Sequence, residues 1–353
     1  MVSSSTGDRM ESIARKFAFY IARQENHSAD FFQARNRANG LYIGSRIETD
    51  PAFEDNLKYM IRPGDIVEAS RSSSQLTKLE QRFAGWIQSH STNKIQGLEN
   101  FEADYSEGTT QAFDSFYFRH RTRRFRCFVG EYFYHIKTWQ SNSVDWDWTD
   151  GKDLEPGDAL VLSQPFCDTA SQFKNLDEIL ENCTRLKIPV LLDLCYYVIS
   201  EGLDIDVNHS CIDTVCFSTS KAWPISTARI GMRYTRPGTF DGQKLHSSIG
   251  YNNNLGAYIG NLVLDNYGPD WISTTRKTQY QTICHVLNLT PTNSVCFGLG
   301  DETWTRYSRQ ALLSSYKLDY DPELFVNRIC LNKIYQHWDL FVEFLNHEYQ
   351  IKI

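Results

Sequence analysis

The sequence predicts an α/β fold, with a mostly parallel central sheet in a large domain and a smaller α+β unit after it. Three observations carry this expectation. IPVLLD at 188–193 is a continuous apolar run, the pattern of a strand buried on both faces. Strand-like runs and helical patterns alternate through the middle of the chain, as parallel sheets require. From about residue 270 the character changes to a long helical segment, short strand-like pieces and a final helix.

The elements follow in order. The first eight residues are expected to fray, and residues 9 to 70 mix helical pieces with turns such as RPGD at 62–65. Leu76, Leu79, Phe83 and Trp86 fall at helical spacing between Gln75 and Gln88. TTQAFDSFYF at 109–118 is expected as a helix opening with threonines, and Phe125 to Val129 as a strand. Ala159 to Leu162 is a second strand, entered through PGD at 156–158. Leu176, Ile179, Leu180, Cys183 and Leu186 mark an amphipathic helix running into the IPVLLD strand. CIDTVCF at 211–217 is the next strand, and it delivers STSKAWPISTAR at 218–229 from its carboxyl end. The late part reads as a helix from WISTTRKTQYQTICHVL, then PTNSVCFGLG, ELFVNRICLNKI and a last helix.

Composition bounds the function. The 353 residues are 41% hydrophobic and 22% charged, the balance of a soluble globular protein. Aromatic residues make up 14%, enough for pockets that stack planar groups. A net charge of −7 argues against a bulk nucleic-acid binder. The basic run RHRTRRFR at 119–126 reads as a solvated turn between a helix and a strand rather than a nucleic-acid patch. Nine cysteines without CxxC spacing suggest reduced thiols, no disulfide framework and no metal site. The polar start MVSSSTGDRMESIARK has no apolar core of a secretory signal, and no apolar run is long enough to span a bilayer. A cytoplasmic location is therefore expected, with no membrane partner.

A chemical constellation lies along this frame. Ligands in open α/β sheets bind outside the carboxyl ends of the strands, where both Asp193 and Lys221 fall. An acid at the end of a buried strand is costly without a cationic or hydrogen-bonding partner, and a protonated pyridine nitrogen is such a partner. Taken alone, Lys221 in a Ser/Thr loop is an ordinary solvated lysine, and Asp193 an ordinary turn residue. Arg229, eight residues after Lys221, carries a guanidinium suited to a phosphate, and Thr109 and Thr110 open a helix where a phosphate is favoured. Tyr196 is placed to reach a ring hydroxyl, Tyr132 to stack on a planar ring, and His135 to support Asp193.

Together these residues resemble the fold-type-I pyridoxal-phosphate (PLP) enzymes of the aspartate aminotransferase superfamily, in order, over roughly residues 75 to 345. Ser218, Lys221 and Arg229 match the SxxK…R Schiff-base and phosphate motif, and Asp193 and Tyr196 match D-x-x-Y. GTTQA at 108–112 resembles the phosphate-cup turn, and Tyr132 with His135 the stacking aromatic and its histidine. Arg328 in NRICLN matches the arginine that takes the substrate α-carboxylate. The resemblance implies pyridoxal 5′-phosphate held by Lys221 as an internal aldimine, an amino acid or related amine as substrate, and a homodimer. It divides the chain into a large PLP-binding domain at 50–270 and a small domain at 1–49 with 271–353.

Three departures bear on the reaction, one being an unfamiliar N-terminal part where the family closes over its substrate. QPFCDTA at 164–170 puts Cys167 where the family has an asparagine that bonds the ring hydroxyl, and a thiol is a far weaker donor. VEASRSSSQ at 67–75 lacks the tyrosine that reaches the neighbouring subunit's phosphate. Transamination leads. A lyase, decarboxylase or other specialised reaction on the same fold, or a non-catalytic descendant, is the alternative.

Overall fold

The computed structural model describes residues 13–18, 20–21, 51–308 and 326–353. The expected frayed start and most of the segment before residue 51 lie outside these residues. Twelve strands occur among them: β1 (Lys94–Gln96), β2 (Glu102–Ser106), β3 (Arg124–Phe128), β4 (Trp146–Thr149), β5 (Asp158–Ser163) and β6 (Val190–Asp193). They continue with β7 (Asp204–Asp206), β8 (Ile212–Ser218), β9 (Gly231–Thr235), β10 (Thr290–Pro291), β11 (Phe297–Gly300) and β12 (Asn327–Cys330).

Seven strands form the central sheet in the order β2-β9-β8-β6-β5-β3-β4. The pairs from β8 through β6, β5 and β3 to β4 are parallel, while β9 runs antiparallel to both β8 and β2. The sheet is mostly parallel, as the alternation of elements predicted. Every residue of β5 and of β6 is buried. Alternation along these strands splits the core between the two faces. Leu160, Leu162, Val190, Leu192 and Phe217 enter one hydrophobic cluster, while Ala159, Val161, Leu191 and Cys216 enter another with Phe113, Phe116 and Trp139. Two covered faces explain why IPVLLD carries no polar alternation.

The helix Leu176–Leu186 buries Leu176, Ile179, Leu180 and Cys183, with Asp177 and Glu178 in its first turn and Arg185 in its last. That charge order complements the helix dipole. Lys187 takes a left-handed conformation, and Ile188 N–H returns to the Cys183 carbonyl at 2.9 Å, aiming the chain into β6. The helix Ser74–Gln88 packs against Asn254–Asn266, where Gly260 lets the two approach: a Cβ there would lie 3.1 Å from Leu79. Ile87, not Trp86, completes its buried stripe; Trp86 is half-buried and donates to the Tyr267 carbonyl at 2.8 Å. The amphiphilic indole sits at the stripe's edge because its N–H needs an acceptor. The late strands β10, β11 and β12 form a separate antiparallel sheet, in which Arg328 pairs opposite Leu299.

The basic run at 119–126 holds the expected turn between a helix and a strand, with Arg121 exposed in it, but the arginines on either side are ion-paired. Arg126 is 1% exposed and reaches Asp158 at 3.1 Å, Arg124 reaches the same carboxylate at 2.8 Å, and Arg119 meets Asp213 at 2.7 Å. The run is an ion-paired seam between the sheet and its flanking segments. The carboxylates it needs come from distant β5 and β8, which local charge patterning does not reveal. A second buried group joins β9 to β2: Arg233, fully buried, meets Asp104 at 2.8 Å and Asp241 at 2.6 Å. Replacing Arg233 by Ala removes the most buried partner of both carboxylates and leaves Asp104 with Lys244 at 3.1 Å and Asp241 with Arg119 at 3.2 Å. Urea unfolding should report a loss no larger than about 3–5 kcal/mol, the cost of a buried ion pair left with one uncompensated charge.

Candidate active site

The carboxyl ends of β2, β3, β5, β6 and β8 lie along one edge of the sheet, and all of the large-sheet candidate residues hang from them. Asp193 is the last residue of β6 and is 5% exposed. Its Oδ1 accepts the Cys195 N–H at 3.0 Å, so the turn role open to any aspartate is realised here as well. Burial pushes its carboxyl up to about 7, helped by the charge of Glu131 and opposed by the Cys195 N–H, by Lys221 and by the Cys216 thiol. The charge of Lys221 therefore reaches Asp193 across the β6–β8 gap.

Lys221 follows β8 in a turn held from within. Ala222 and Trp223 donate to the Thr219 carbonyl at 3.1 and 3.3 Å, and both side chains are fully buried. Lys221, directly before them, is half-buried. Ser218 closes β8; its hydroxyl donates to Ser220 Oγ at 2.9 Å and accepts the Ser220 N–H at 3.1 Å. The chain then reaches Arg229, whose backbone is left-handed at φ 55° and whose carbonyl accepts the Tyr105 hydroxyl at 3.0 Å. The guanidinium crosses to the end of β2, donating to the Glu107 carbonyl at 3.0 Å and to Thr110 Oγ1 at 3.2 Å. Gly108, at φ 71°, caps the helix Thr109–Arg119 directly beneath it. With ψ near −177° as well, this is a backbone conformation that side chains rarely adopt, so the turn needs a glycine. Thr109 is buried in the first turn beside it.

Tyr132 precedes the helix Phe133–Ser141 and is half-buried, with burial pushing its phenol up to about 12. The same phenol feels the charges of Asp193 and Arg229, which puts it between the two ends of the site. His135 is fully buried with its ring 5.9 Å from Tyr132 and nearly perpendicular to it. Its Nδ1 shares a short hydrogen bond with the Tyr117 hydroxyl. The support expected for Asp193 thus runs to Tyr117, whose phenol in turn feels the charge of Asp193.

The remaining candidates meet at the junction with the smaller sheet. Arg328, 5% exposed in β12, donates to the Cys167 carbonyl and lies 3.2 Å from the Tyr196 hydroxyl. Its guanidinium sits 4.5 Å from the Phe297 ring centroid. Burial works against its charge, but Tyr196, Cys167 and Asp168 raise its basicity above the ordinary value. Cys167 Sγ lies 3.9 Å from the Tyr196 hydroxyl, and its N–H is held by Ser163 Oγ at 2.8 Å. Asp168 accepts the Val326 N–H at 3.0 Å, a second tie between the QPFCDTA turn and the chain entering β12.

Sequence reasoning missed Glu131, Ser163, Tyr117 and Asp168. Each is buried, and each is defined by contacts between separate elements rather than by a local pattern. Only Asp168 and Glu131 left a signal, as acids inside QPFCDTA and GEYFYH, segments otherwise read for their neighbours. All nine cysteines are unbridged. Among the described residues no helix is long and apolar enough to cross a membrane, and no cluster of His, Cys, Asp and Glu fits a metal ion.

No protein-family model and no curated protein matches the sequence. Solved structures do match the fold. N-Succinyldiaminopimelate aminotransferase from Mycobacterium tuberculosis superposes with a TM-score of 0.60 at 11% identity, covering 98% of this chain and 99% of that one. Tyrosine aminotransferase from Leishmania infantum gives 0.55 at 12% identity, over 96% and 99%. L-Threonine-O-3-phosphate decarboxylase from Porphyromonas gingivalis gives 0.54 at 14% identity, over 86% and 99%. The chain has the aminotransferase fold, fold type I, which is the one its motifs implied.

Asp193 has a consequence for stability. Its folded carboxyl titrates near 7, above the usual carboxylate range, so folding favours the protonated form. Its contribution is complete below about pH 4 and is lost as pH rises through about 7, where a buried negative charge must form. Asp193→Asn should flatten the stability of the cofactor-free protein across this window and make it more stable than the parent at pH 8. Denaturation at a series of pH values checks the slope.

Proposed function

We propose that the chain is a PLP-dependent aminotransferase-like enzyme acting on an amino acid or related amine. The observation that carries this reading is Asp193, a buried carboxyl at the end of β6 within electrostatic reach of the Lys221 turn. The donor set fits the cofactor. Asp193 offers a partner for a pyridine nitrogen, Tyr132 a ring face, and Gly108, Thr109, Thr110, Ser218 and Arg229 a cradle for a phosphate. Bound there, PLP supplies an aldehyde that condenses with amines and a ring that takes up the electron pair released at the substrate Cα.

The residues divide the work. Lys221 would hold the cofactor, and its freed amine would serve as the base that moves the proton at the substrate Cα. Asp193 would keep the ring nitrogen protonated, the form that draws electrons best. Tyr196 would bond the ring hydroxyl, with Cys167 beside it in place of the family's asparagine. Arg328 offers its remaining N–H groups to the substrate carboxylate, since Cys167 and Tyr196 hold only one edge of the fork. His135 and Tyr117 pack behind Tyr132 and fix its ring. A decarboxylase or lyase on the same scaffold is the second reading. It is favoured by the thiol of Cys167, which leaves the ring hydroxyl less firmly bonded than an amide would.

A homodimer accompanies the reading. Ile249 and Tyr251 are 50% and 76% exposed, and Leu245 and Leu255 are exposed beside them in the sequence. The segment is joined to the phosphate cradle, because Asn253 Nδ2 donates to the Ala228 carbonyl at 3.0 Å. A second copy covering this patch would lie next to the cradle and take the place of the missing tyrosine contact.

Adding PLP to the purified protein should produce a visible absorbance band that Lys221→Ala abolishes. An unchanged band in that variant would overturn the assignment. Conversion of the band to the pyridoxamine form by single amino acids marks transamination, whereas release of carbon dioxide without conversion marks the second reading. Arg328→Lys should raise KM for the amino acid far more than it lowers kcat. Sedimentation should give a dimer that Ile249→Glu weakens, and a monomer that still binds PLP would refute the shared site.

A further inference from the structure

Glu131 has no role in the chemistry above, yet it is 2% exposed and lies between Gly130 and Tyr132 at the carboxyl end of β3. Its Oε1 accepts the Tyr132 N–H at 2.9 Å and the Ser163 hydroxyl at 2.6 Å, and its Oε2 accepts the Ser163 N–H at 2.9 Å. All three partners donate, which suits an acceptor-only carboxylate. Ser163 ends β5 directly opposite Asp193 in the parallel register, and its Oγ accepts the Cys167 N–H at 2.8 Å. One carboxyl group therefore ties the Tyr132 turn to the end of β5, and through Ser163 to the Cys167 turn.

The same carboxyl stands near a second buried acid. Tyr132 and Cys167, to which Glu131 is tied directly and through Ser163, both come close to Asp193 or its neighbour Tyr196. After burial itself, the charge of Glu131 is the largest influence raising the Asp193 carboxyl. The other groups that face Asp193 are Lys221 after β8, Cys216 within β8, Cys195 after β6, Tyr132 before its helix and Tyr117 from the helix Thr109–Arg119. Only Lys221 among them is a cation.

We propose that Glu131 is a positioning residue: it fixes the Tyr132 and Cys167 turns and sets a second negative charge beside Asp193, so that a protonated ring nitrogen at the end of β6 is held by two buried carboxyl groups. The part concerning the ring nitrogen rests on the proposed PLP reading; the coupling of the two acids does not. A plain staple between β3 and β5 would need the hydrogen bonds but not the charge. With it, the site favours a cation even though the Cys167 turn supplies a weaker donor.

Carboxyl-labelled aspartate in the full-length, cofactor-free protein, observed by carbon NMR, reads the charge directly. Asp193→Asn identifies the Asp193 signal. Glu131→Gln should lower the Asp193 midpoint by at least about one pH unit, a tenfold change in proton affinity. Glu131→Asp should restore most of it. An unchanged midpoint in folded Glu131→Gln overturns the proposal. Gln replaces one acceptor oxygen with a donor and can weaken the turn, so glutamate labelling of the unaltered protein supplies a second measurement. The Glu131 signal should inflect at the Asp193 midpoint and lose that inflection in Asp193→Asn; its absence overturns the coupling. With PLP added, the pH at which the visible band changes should fall in Glu131→Gln, and an unmoved transition overturns the role toward the ring. A protein that gives no band with PLP but shows the shifted midpoints rejects the cofactor reading and keeps the carboxyl pair.

Discussion

The carboxyl of Asp193 ends a strand covered on both faces, where burial drives it toward the neutral form and Glu131 drives it further. Much of the edge is arranged about that constraint. The parallel register places Ser163 and Cys216 on either side of it, and the neighbouring turns bring Lys221, Tyr132 and Tyr196 into its surroundings. An acid in such a place is expensive to keep charged unless a cation faces it. The half-buried Lys221 is one such cation, and a pyridinium would be a better one.

A second dependence joins the two sheets. The QPFCDTA turn sends the Cys167 carbonyl to Arg328 and the Asp168 carboxylate to Val326 N–H, while Tyr196 reaches the same guanidinium. Arg328 belongs to the small antiparallel sheet, whereas Cys167 and Tyr196 lie in the turns that follow β5 and β6 of the large one. The arginine is thus oriented by the QPFCDTA turn and by Tyr196, which suits the carboxylate-binding role proposed for it. Preorientation of this kind lowers the entropy lost on binding.

The helix Leu176–Leu186, the apolar strand β6 and the Lys221 turn were legible because each has a local signature: apolar spacing, an unbroken apolar run, small residues around one amine. The edge position of Trp86 and the ion pairing of the basic run were not legible, for a shared reason. Their partners, Tyr267 for the indole and Asp158 and Asp213 for the arginines, lie far along the chain. His135 was foreseen beside the site, but its bond to Tyr117 depends on how the helix Thr109–Arg119 packs against Phe133–Ser141.

By itself, the sequence determined the fold class, the strand ends that carry the polar residues and the order of the motifs, because periodicity and spacing are properties of neighbours in the chain. Tertiary structure alone decided the charge environment. Glu131 acts on Asp193 because β5 and β6 are paired in one register and the β3 turn folds over their ends. Arg229 meets Thr110 only because β9 runs back beside β2, more than a hundred residues away. Electrostatic coupling depends on distance through space, and the fold sets that distance.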